Sequence, residues 1–511
     1  MSQYDYDLIV LGGGSAGIVS GVMAGALKMR VLVIEKFKMG GECLNTGCVP
    51  SKALLHAART ARILRTAGEV GLRAMPVARE DTGGIMEYVR ESINRVRAAD
   101  ATEDLLRENG AVIRHGDAQF VDPHTIVLDG QTLTSANFIL AVGSHPTVPN
   151  VPGLTESGYH TNKTIFDLTA IPEALLVVGG GPVGVELAQA FQLLGCRVTL
   201  VQGGNRLLPR DDAEMSGGLE EYLRQDGVDI RLNGELLSVR RQGNRRIALL
   251  RQNGQTLEVV ADEILIATGR APNVAALRLE AAGVRVGEKG VPTDRGLRTS
   301  APNIYACGDV LGENQFSHMA EVEAKIVVRN IVFPGAANAE AQVVPWTTFT
   351  DPELAHVGVT EEEARRRGWR YEVVRQPFAQ DDRALTDNDT RGFVKVLTRG
   401  VGGTIIGVHI LGPRAGELIQ EWVFAMQHGH GIRDVADLVH VYPTLTMASQ
   451  HAAQRWYERK AREPLVDWAL DAYAHKIRPR QGPLAAALLG VGVFGVGAVA
   501  LALYERRRRS D

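Results

Sequence analysis

Two glycine-rich segments constrain the fold of this 511-residue chain more than any other feature. The first lies in YDLIVLGGGSAG, where an apolar strand leads into a helical stretch, and a second strand, VLVIE, follows. In such a unit the first glycine permits the tight turn, the second lets a pyrophosphate approach the backbone, and the third lets helix pack on strand. An acid at the end of the second strand is suited to hold ribose hydroxyls. The predicted dinucleotide cradle consists of Gly12, Gly14, Gly17 and Glu35.

A second cradle follows in LLVVGGGPVGVELAQAF, with RVTLVQ as its next strand. Gln202 stands where the first cradle has its acid. A carboxylate there would favour NAD and repel the extra phosphate of NADP; glutamine does neither, so the choice between NADH and NADPH stays open. Arg206 and Arg210 are candidates for binding a 2′-phosphate, which leans the expectation mildly toward NADPH. The glycines of this cradle are Gly179, Gly181 and Gly184.

Three later strand ends complete the pattern. FILAVG and EILIATG are apolar strands that end at Gly143 and Gly269, each after a polar, hairpin-like segment, and each is expected to close one nucleotide domain. TSAPNIYACGDV ends a strand at Gly308-Asp309. An acid in that place suits a ribityl hydroxyl, provided that the first cradle holds a flavin dinucleotide.

A close cysteine pair stands in GGECLNTGCVPSK. The chain has four cysteines, too few for a disulfide-built scaffold. Cys43 and Cys48 therefore form a redox pair, an inert buried pair or part of a metal site, and the first is favoured. A zinc site would need two more well-spaced ligands, whereas Cys196 and Cys307 are distant singletons. Cys196 is expected to be a small packing residue between a helix and a strand.

Composition narrows the class of protein. Hydrophobic residues at 45% and charged residues at 23% are ordinary for a globular protein, and the length predicts several domains. A net charge of −3 argues against a nucleic-acid partner. The chain begins almost directly with a strand and shows no targeting signal, so the catalytic part is expected in the cytoplasm.

Together these motifs resemble the class I pyridine nucleotide–disulfide oxidoreductases, in the branch of mercuric reductase and dihydrolipoyl dehydrogenase. The likeness spans roughly residues 4 to 460, and FTDPELAHVGVTEEEA, RALTDNDTRGFVKV and YPTLTM look most like mercuric reductase. The resemblance implies FAD in the first cradle, with Gly41 beside it, and NAD(P)H in the second. It also implies a homodimer that acts on a small molecule or a metal ion, with no bound metal of its own.

The resemblance also implies catalytic roles. Cys48 would face the flavin and Cys43 the substrate, while Lys52 would lie near the flavin and pair with Glu186. A positive charge and the helix that follows should lower the pKa of the Cys48 thiol. The electrons would pass from NAD(P)H through FAD and the Cys43–Cys48 disulfide to an acceptor.

The pattern departs from the family near its end. Disulfide-reducing members carry His-Pro-Thr-x-x-Glu, whose histidine and glutamate act as an acid–base pair from the partner subunit. This chain has Tyr442 and Met447 at those positions. A phenol with a pKa near 10 is a poor proton shuttle at neutral pH. His440 and His451 are weak candidates for a substitute base. Mercuric reductases have an aromatic residue at this position, but their vicinal C-terminal cysteines are missing, since no cysteine follows Cys307.

The segment from Leu484 to Leu503 contains no charged residue, and about 20 helical residues span a bilayer core of roughly 30 Å. It therefore predicts a transmembrane anchor with a cytoplasmic catalytic domain; the flanking charges do not decide its orientation. Trp468 and Tyr473 in the segment before it suit a membrane interface.

The expected fold is α/β, with two Rossmann-like dinucleotide-binding domains, a C-terminal α/β dimerisation domain and a C-terminal transmembrane helix. The expected function is an FAD-dependent NAD(P)H oxidoreductase with a non-lipoyl acceptor: a metal ion, a quinone or a small electrophile. Two alternatives remain, a dihydrolipoyl dehydrogenase-like disulfide reductase and a slow-turnover flavin sensor or membrane scaffold. The expected boundaries are 1–150 and 276–343 for the FAD-binding domain, 151–275 for the NAD(P)-binding domain, 344–462 for the dimerisation domain, 463–483 for a juxtamembrane segment and 484–503 for the membrane helix.

Overall fold

The computed structural model describes residues 3–76, 78, 81–335 and 337–472. These residues form two units. The first comprises the described parts of Met1–Pro209 and Glu220–Gln342, and the second comprises Arg210–Leu219 with the described residues from Val343 onward.

The first unit begins with the predicted strand–helix–strand. The apolar runs YDLIVL and VLVIE form adjacent parallel strands, with Leu8, Ile9 and Val10 fully buried. The strand order is β3-β2-β1-β6, all parallel, and β4 and β5 extend β6 as an antiparallel meander. The elements are β1 Tyr6–Leu11, α1 Ser15–Ala26, β2 Val31–Glu35, α2 Gly41–Thr46, α3 Cys48–Thr66, α4 Thr82–Asp100, α5 Thr102–Glu108, β3 Ala111–His115, β4 Ala118–Asp122, β5 Thr125–Leu128, β6 Gln131–Leu140 and β7 Ser144–Pro146.

A second sheet repeats this topology. Its order is β10-β9-β8-β14, again all parallel, and an antiparallel meander of β11, β12 and β13 precedes the last strand. The prediction of two Rossmann-like sheets, each closed by a strand that follows a polar hairpin, is therefore confirmed. The elements are α6 Leu154–Ser157, β8 Ala174–Val178, α7 Pro182–Leu193, β9 Arg197–Gln202, α8 Ala213–Gln225, β10 Asp229–Leu232, β11 Gly234–Gln242, β12 Arg245–Gln252, β13 Gln255–Ala261 and β14 Glu263–Ile266.

The chain then returns to the first sheet. Three further elements follow: β15 Arg270–Pro272, β16 Ile304–Ala306 and α9 Ser317–Val332. β16 pairs in parallel with β6, and β15 pairs with β7. The Gly308-Asp309 turn, which follows β16, therefore lies at the same sheet edge as the turn after β1, because carboxyl ends of parallel strands share an edge.

The second unit is built on an antiparallel sheet of order β17-β18-β21-β20-β19. Trp422 and Trp456, both buried, anchor the helices that cover this sheet, and the Trp422 ring nitrogen donates to Ser449 at 3.0 Å. The elements are β17 Pro345–Thr348, β18 Glu353–Gly358, α10 Glu361–Arg366, β19 Glu372–Pro377, α11 Asp382–Thr386, β20 Phe393–Arg399, β21 Thr404–Gly412, α12 Ala415–Gln427, α13 Ile432–Ala436, α14 Met447–Ala461 and α15 Pro464–Ala472.

Lys395 in β20 is the centre of a buried ionic network within this unit. Only 1% of its side chain is exposed, and its Nζ lies 2.8 Å from carboxylate oxygens of Asp212, Glu214 and Glu361. Burial by itself would raise the pKa of Asp212, but the charges of His409 and Lys395 and the hydrogen bond from Lys395 lower it to about 2. The segment Arg210–Leu219 is thereby joined to the sheet of the second unit.

The prediction of a membrane-spanning helix is corrected. No helix in the described ranges is long and apolar enough to cross a membrane. The two longest, α3 and α4, have 19 residues each, but both carry charged side chains along their length. The segment 484–503 and Tyr473 lie outside the described residues. We therefore withdraw the prediction of a transmembrane helix and the membrane-anchored location that was inferred from it.

We predict that Lys395→Met lowers the free energy of unfolding by about 3–5 kcal/mol at pH 7, because it leaves the buried carboxylate of Asp212 without its lysine partner. Urea denaturation of the purified protein measures the change, and Lys325→Met at an exposed site is the control, expected within about 0.5 kcal/mol of the parent. A carboxyl whose folded pKa lies below its ordinary 3.8 contributes stability above that pH and loses it below. The deficit of the variant should therefore shrink as the pH falls from about 4 toward 2. A deficit that is unchanged over this range would contradict the assignment.

Candidate redox and dinucleotide site

The first cradle requires glycine at its outer two positions. Gly12 has φ +110°, and a Cβ there would lie 2.2 Å from the carbonyl oxygen of Ala141. A Cβ on Gly17 would lie 1.8 Å from the carbonyl oxygen of Gly12, so only glycine lets α1 pack this closely on β1. Gly14 is different, because a Cβ there would meet nothing closer than Gly41 Cα at 3.7 Å. The middle glycine therefore faces space that a phosphate group can enter.

The second cradle repeats these contacts. Gly179 has φ +117°, and its Cβ would lie 2.2 Å from the carbonyl oxygen of Ala267. A Cβ on Gly184 would lie 1.9 Å from the Gly179 carbonyl oxygen, while one on Gly181 would meet no atom within 4 Å. Both cradles thus have the same two obligatory glycines and the same open middle position.

The residues that end β2 and β9 also occupy equivalent places. Glu35 accepts hydrogen bonds from the backbone nitrogens of Gly13 and Phe37, both at 2.6 Å. Gln202 accepts one from the backbone nitrogen of Gly180 at 2.9 Å, and its amide donates to the Arg206 carbonyl oxygen at 3.3 Å. The first cradle therefore ends in a buried carboxylate and the second in a neutral amide.

The cysteine pair is carried by the two helices that follow the first cradle. Gly41, with φ +59°, begins α2, and a Cβ there would lie 2.7 Å from Gly14 Cα, so α2 lies directly against the cradle. Cys43 lies within α2 and is half-buried, whereas Cys48 is the first residue of α3 and is more exposed. Both are free thiols in this structure.

The two thiols differ strongly in acidity. The hydrogen bond that Cys43 donates to Cys48, together with burial, raises the pKa of Cys43 far above its ordinary value. The same bond lowers the pKa of Cys48 to about 6; burial opposes the shift, and the Ser317 hydroxyl and the Lys52 charge support it. At neutral pH the arrangement holds a protonated Cys43 thiol beside a Cys48 thiolate.

Lys52 and Glu186 form the expected ion pair. The Lys52 Nζ lies 2.9 Å from a carboxylate oxygen of Glu186, which is 6% exposed. Lys52 follows Cys48 by one turn of α3, and Glu186 lies in α7 just beyond the second cradle. The pair therefore joins α3, which begins at Cys48, to α7, which follows the second cradle.

A network that sequence reasoning missed connects α2 to the Gly308-Asp309 turn. Arg270 pairs with Glu42, the residue before Cys43, and its Nε lies 2.8 Å from the Ser144 hydroxyl and 3.6 Å from Asp309. The Ser144 hydroxyl donates to Asp309 at 2.6 Å. The only sequence signal for it is a lone arginine after the strand-closing Gly269. Asp309 itself is therefore held in a fixed orientation at the sheet edge.

The remaining predicted residues lie as follows. Gly143 and Gly269 both have positive φ, +67° and +139°, at the turns that follow β6 and β14. Cys196 and Cys307 are buried, and burial raises the pKa of each; the value for Cys196 is about 12. Tyr442 belongs to the second unit, where it is exposed and its hydroxyl donates to Asp382 at 2.9 Å. This bond raises the pKa of Tyr442.

Comparison with known proteins agrees with this geometry. Residues 6–325 match the model of the pyridine nucleotide-disulphide oxidoreductase family, and residues 344–453 match that family's dimerisation domain. The mercuric reductase of Staphylococcus aureus is 35% identical over 87% of this chain and 81% of its own length. The dihydrolipoyl dehydrogenase of Thermus scotoductus is 35% identical over 89% of this chain and 98% of its own. Among solved structures, the Cu(II) complex of the HOCl-induced flavoprotein disulfide reductase RclA from Escherichia coli gives a TM-score of 0.79 at 28% identity, covering 89% of this chain and 100% of the other.

The chain belongs to the pyridine nucleotide-disulphide oxidoreductase family. It is an FAD-dependent oxidoreductase that uses NAD(P)H, as the sequence predicted. The structure fits both cofactors, because each cradle has an open middle glycine at a helix N-terminus, and Glu35 and Asp309 are oriented acids beside the first.

We predict that Gly181→Ala leaves the FAD content and the melting temperature unchanged, because the added Cβ meets no protein atom. The same methyl group should occupy space needed by a pyrophosphate and raise the KM for NAD(P)H by about tenfold or more. Steady-state kinetics measures the change, and Gly217→Ala, on α8 with equally open surroundings, is the control. An unchanged KM in Gly181→Ala would contradict the placement of the second nucleotide.

Proposed function

We propose that Cys43 and Cys48 are the redox centre and that the chain passes electrons from NAD(P)H to an acceptor that needs no proton abstraction, with a metal ion favoured over a quinone or a small electrophile. The observation that carries the redox assignment is the placement of two free cysteines, Cys43 in α2 and Cys48 at the start of α3, directly after the first cradle. In this assignment Gly12, Gly14, Gly17, Glu35, Gly41 and Asp309 hold FAD, and the second cradle with Gln202 holds NAD(P)H. The FAD-binding part then comprises 1–150 and 276–343, with 151–275 for NAD(P)H and 344–462 for dimerisation.

FAD held at the first cradle would supply hydride acceptance from NAD(P)H and the two electrons needed to open the Cys43–Cys48 disulfide. The protein's own residues then control the two sulfurs. Cys48, at the N-terminus of α3 and near Lys52, holds its sulfur as a thiolate, since helix N-termini and cations stabilise anions. Glu186 orients Lys52. Cys43 holds the proton until the acceptor binds to its sulfur, and the proton is then released.

The residues at the family's acid–base positions support this kind of acceptor. Tyr442 replaces the histidine, and its hydroxyl is already a donor to Asp382. Because that bond raises the pKa of Tyr442, the phenol stays protonated at neutral pH and does not take a proton from a substrate thiol. Met447, at the start of α14, has no ionisable group to replace the glutamate. A metal ion or a quinone does not require this base.

Two of the related proteins are consistent with a metal-ion acceptor, while the dihydrolipoyl dehydrogenase relative keeps the disulfide-reductase alternative open. One is named a mercuric reductase, and one structural neighbour was solved as a Cu(II) complex. Among the residues that the structure describes, no group of three or more histidine, cysteine or carboxylate side chains is arranged to hold a metal. In this proposal the ion is a substrate that binds to the Cys43 sulfur.

A homodimer is part of the proposal. The second unit matches the family's dimerisation domain. Its surface includes a group of exposed apolar side chains at the end of α12 and in the segment before α14, which is the kind of surface that a partner subunit covers. They are Phe424, Leu438, Val439, Val441 and Tyr442.

We predict that the parent enzyme accepts NADPH at least as well as NADH and that Gln202→Glu shifts the preference toward NADH by about tenfold, or about 1.4 kcal/mol. The new carboxylate would occupy the place of a neutral amide and repel a 2′-phosphate. The ratio of kcat/KM values for the two nucleotides measures the shift, and Gln192→Glu at the far end of α7 is the control. An unaltered ratio would show that the ribose lies elsewhere.

We also predict that lipoamide turnover at pH 7 is about a hundredfold or more below that of a His–Glu member, because general acid–base catalysis contributes about 10²- to 10⁴-fold. Tyr442→His with Met447→Glu should raise it, while turnover with Cu(II), Hg(II) or a quinone should not increase. The rate of NAD(P)H oxidation with each of these acceptors is the measurement. Cys43→Ser should abolish turnover with acceptors that bind to the Cys43 sulfur. Fast lipoamide turnover by the parent would support a dihydrolipoyl dehydrogenase, and single-turnover reduction with every acceptor would support a sensor.

A further inference from the structure

A hydroxyl group from a distant part of the chain contacts the thiol of Cys48. Ser317 is the first residue of α9, and its Oγ lies 3.6 Å from the Cys48 Sγ. This distance is within hydrogen-bond range for sulfur. Facing a thiolate, the hydroxyl must be the donor, because the sulfur has no proton. Sequence reasoning did not single out Ser317, which stands in an ordinary helix start, QFSHMA.

The surroundings of Cys48 make this neutral donor important. The positive charge of Lys52 is partly cancelled at the sulfur by Glu186, which lies 2.9 Å from the Lys52 Nζ and itself raises the pKa of Cys48. No such opposing charge accompanies a hydroxyl. Cys48 and Ser317 are also the first residues of α3 and α9, helices of 19 and 16 residues, so two helix N-termini meet at the sulfur. Both favour a negative charge there.

The other hydrogen-bond donor to the Cys48 sulfur, the Cys43 thiol, is lost during turnover. The hydrogen bond from Cys43 is the largest influence on the acidity of Cys48. Once the Cys43 sulfur is bonded to an acceptor, it carries no proton and cannot donate. The Ser317 hydroxyl then remains as the neutral side-chain donor in contact with the Cys48 sulfur.

We propose that Ser317 is a further catalytic residue, which keeps Cys48 an attacking thiolate while Cys43 is occupied by the acceptor; this inference rests on the redox roles proposed above. In the step concerned, with a two-electron acceptor, the Cys48 thiolate attacks the Cys43 sulfur. The bond between Cys43 and the acceptor breaks, and its electron pair leaves with the acceptor. The Cys43–Cys48 disulfide forms, so the two thiols are oxidised by two electrons and the acceptor is reduced by two.

The test removes the Cys43 donor by mutation and titrates the remaining thiol. FAD-loaded Cys43→Ala is compared with the same variant carrying Ser317→Ala, Ser317→Thr or Ser51→Ala. The readout is the pH midpoint of the long-wavelength absorbance that a thiolate gives beside oxidised flavin. Ser51 is a matched control, since its hydroxyl donates to the Cys48 carbonyl oxygen at 3.2 Å and not to the sulfur. Thermal unfolding and FAD content report separately on structure.

Ser317→Ala should raise the midpoint by about one pH unit, which is a tenfold loss of thiolate below the midpoint. Ser317→Thr should restore it, and Ser51→Ala should match Cys43→Ala. If Ser317→Ala binds no flavin, the midpoint is obtained from the pH dependence of Cys48 alkylation by iodoacetamide, mapped by mass spectrometry. An unmoved midpoint overturns the role of Ser317 alone. If FAD-loaded Cys43→Ala shows no long-wavelength absorbance at any pH, the assignment of Cys48 as the thiolate beside the flavin is overturned. The role of Ser317 is then overturned with it.

Discussion

The contact between Gly17 and the carbonyl oxygen of Gly12 is the constraint on which the site depends. A Cβ at Gly17 would overlap that oxygen, so only glycine allows α1 to start directly above the end of β1. The helix N-terminus then points into the space beside Gly14. Gly41 approaches Gly14 so closely that α2 begins against the same turn. The position of the cysteine pair relative to the first nucleotide cradle therefore follows from a few backbone contacts that tolerate no side chain.

Once α2 and α3 are placed, electrostatics separates the two thiols. A lone cysteine at a helix N-terminus is already acidified, but Cys48 also receives a hydrogen bond from Cys43. That bond acts in opposite directions on its two partners, since the donor keeps the proton that stabilises the acceptor's charge. Lys52 contributes less than an isolated cation would, because Glu186 is paired with it. The difference in pKa between the two thiols thus arises from their hydrogen bond and from the neighbouring groups, not from either cysteine alone.

Sequence reasoning succeeded where a local pattern determines the structure. The apolar runs ending in glycine predicted both parallel sheets, because strand burial and glycine geometry depend on near neighbours in the chain. It failed to find Arg270 with Glu42, Lys395 with Asp212, and Ser317 with Cys48, since each contact joins residues that are far apart in sequence. The prediction of a membrane helix relied on hydropathy alone, without a tertiary contact to test it. The roles of the individual site residues stay predictions.

The replacement of the family's histidine by Tyr442 affects proton transfer and not electron transfer in the proposed mechanism. In the proposed mechanism, the groups that deliver an electron pair to Cys43 lie in the first unit: two cradles, the two thiols and the pair formed by Lys52 and Glu186. A thiol substrate would also need a group that accepts its proton, and Tyr442 is instead a proton donor to Asp382 whose pKa is raised further by that bond. A cationic metal bound to sulfur displaces the thiol proton by its own charge, because metal binding favours the thiolate. The proposed consequence of the Tyr442 replacement is therefore a narrower choice of acceptor, with the cysteine pair itself unaffected.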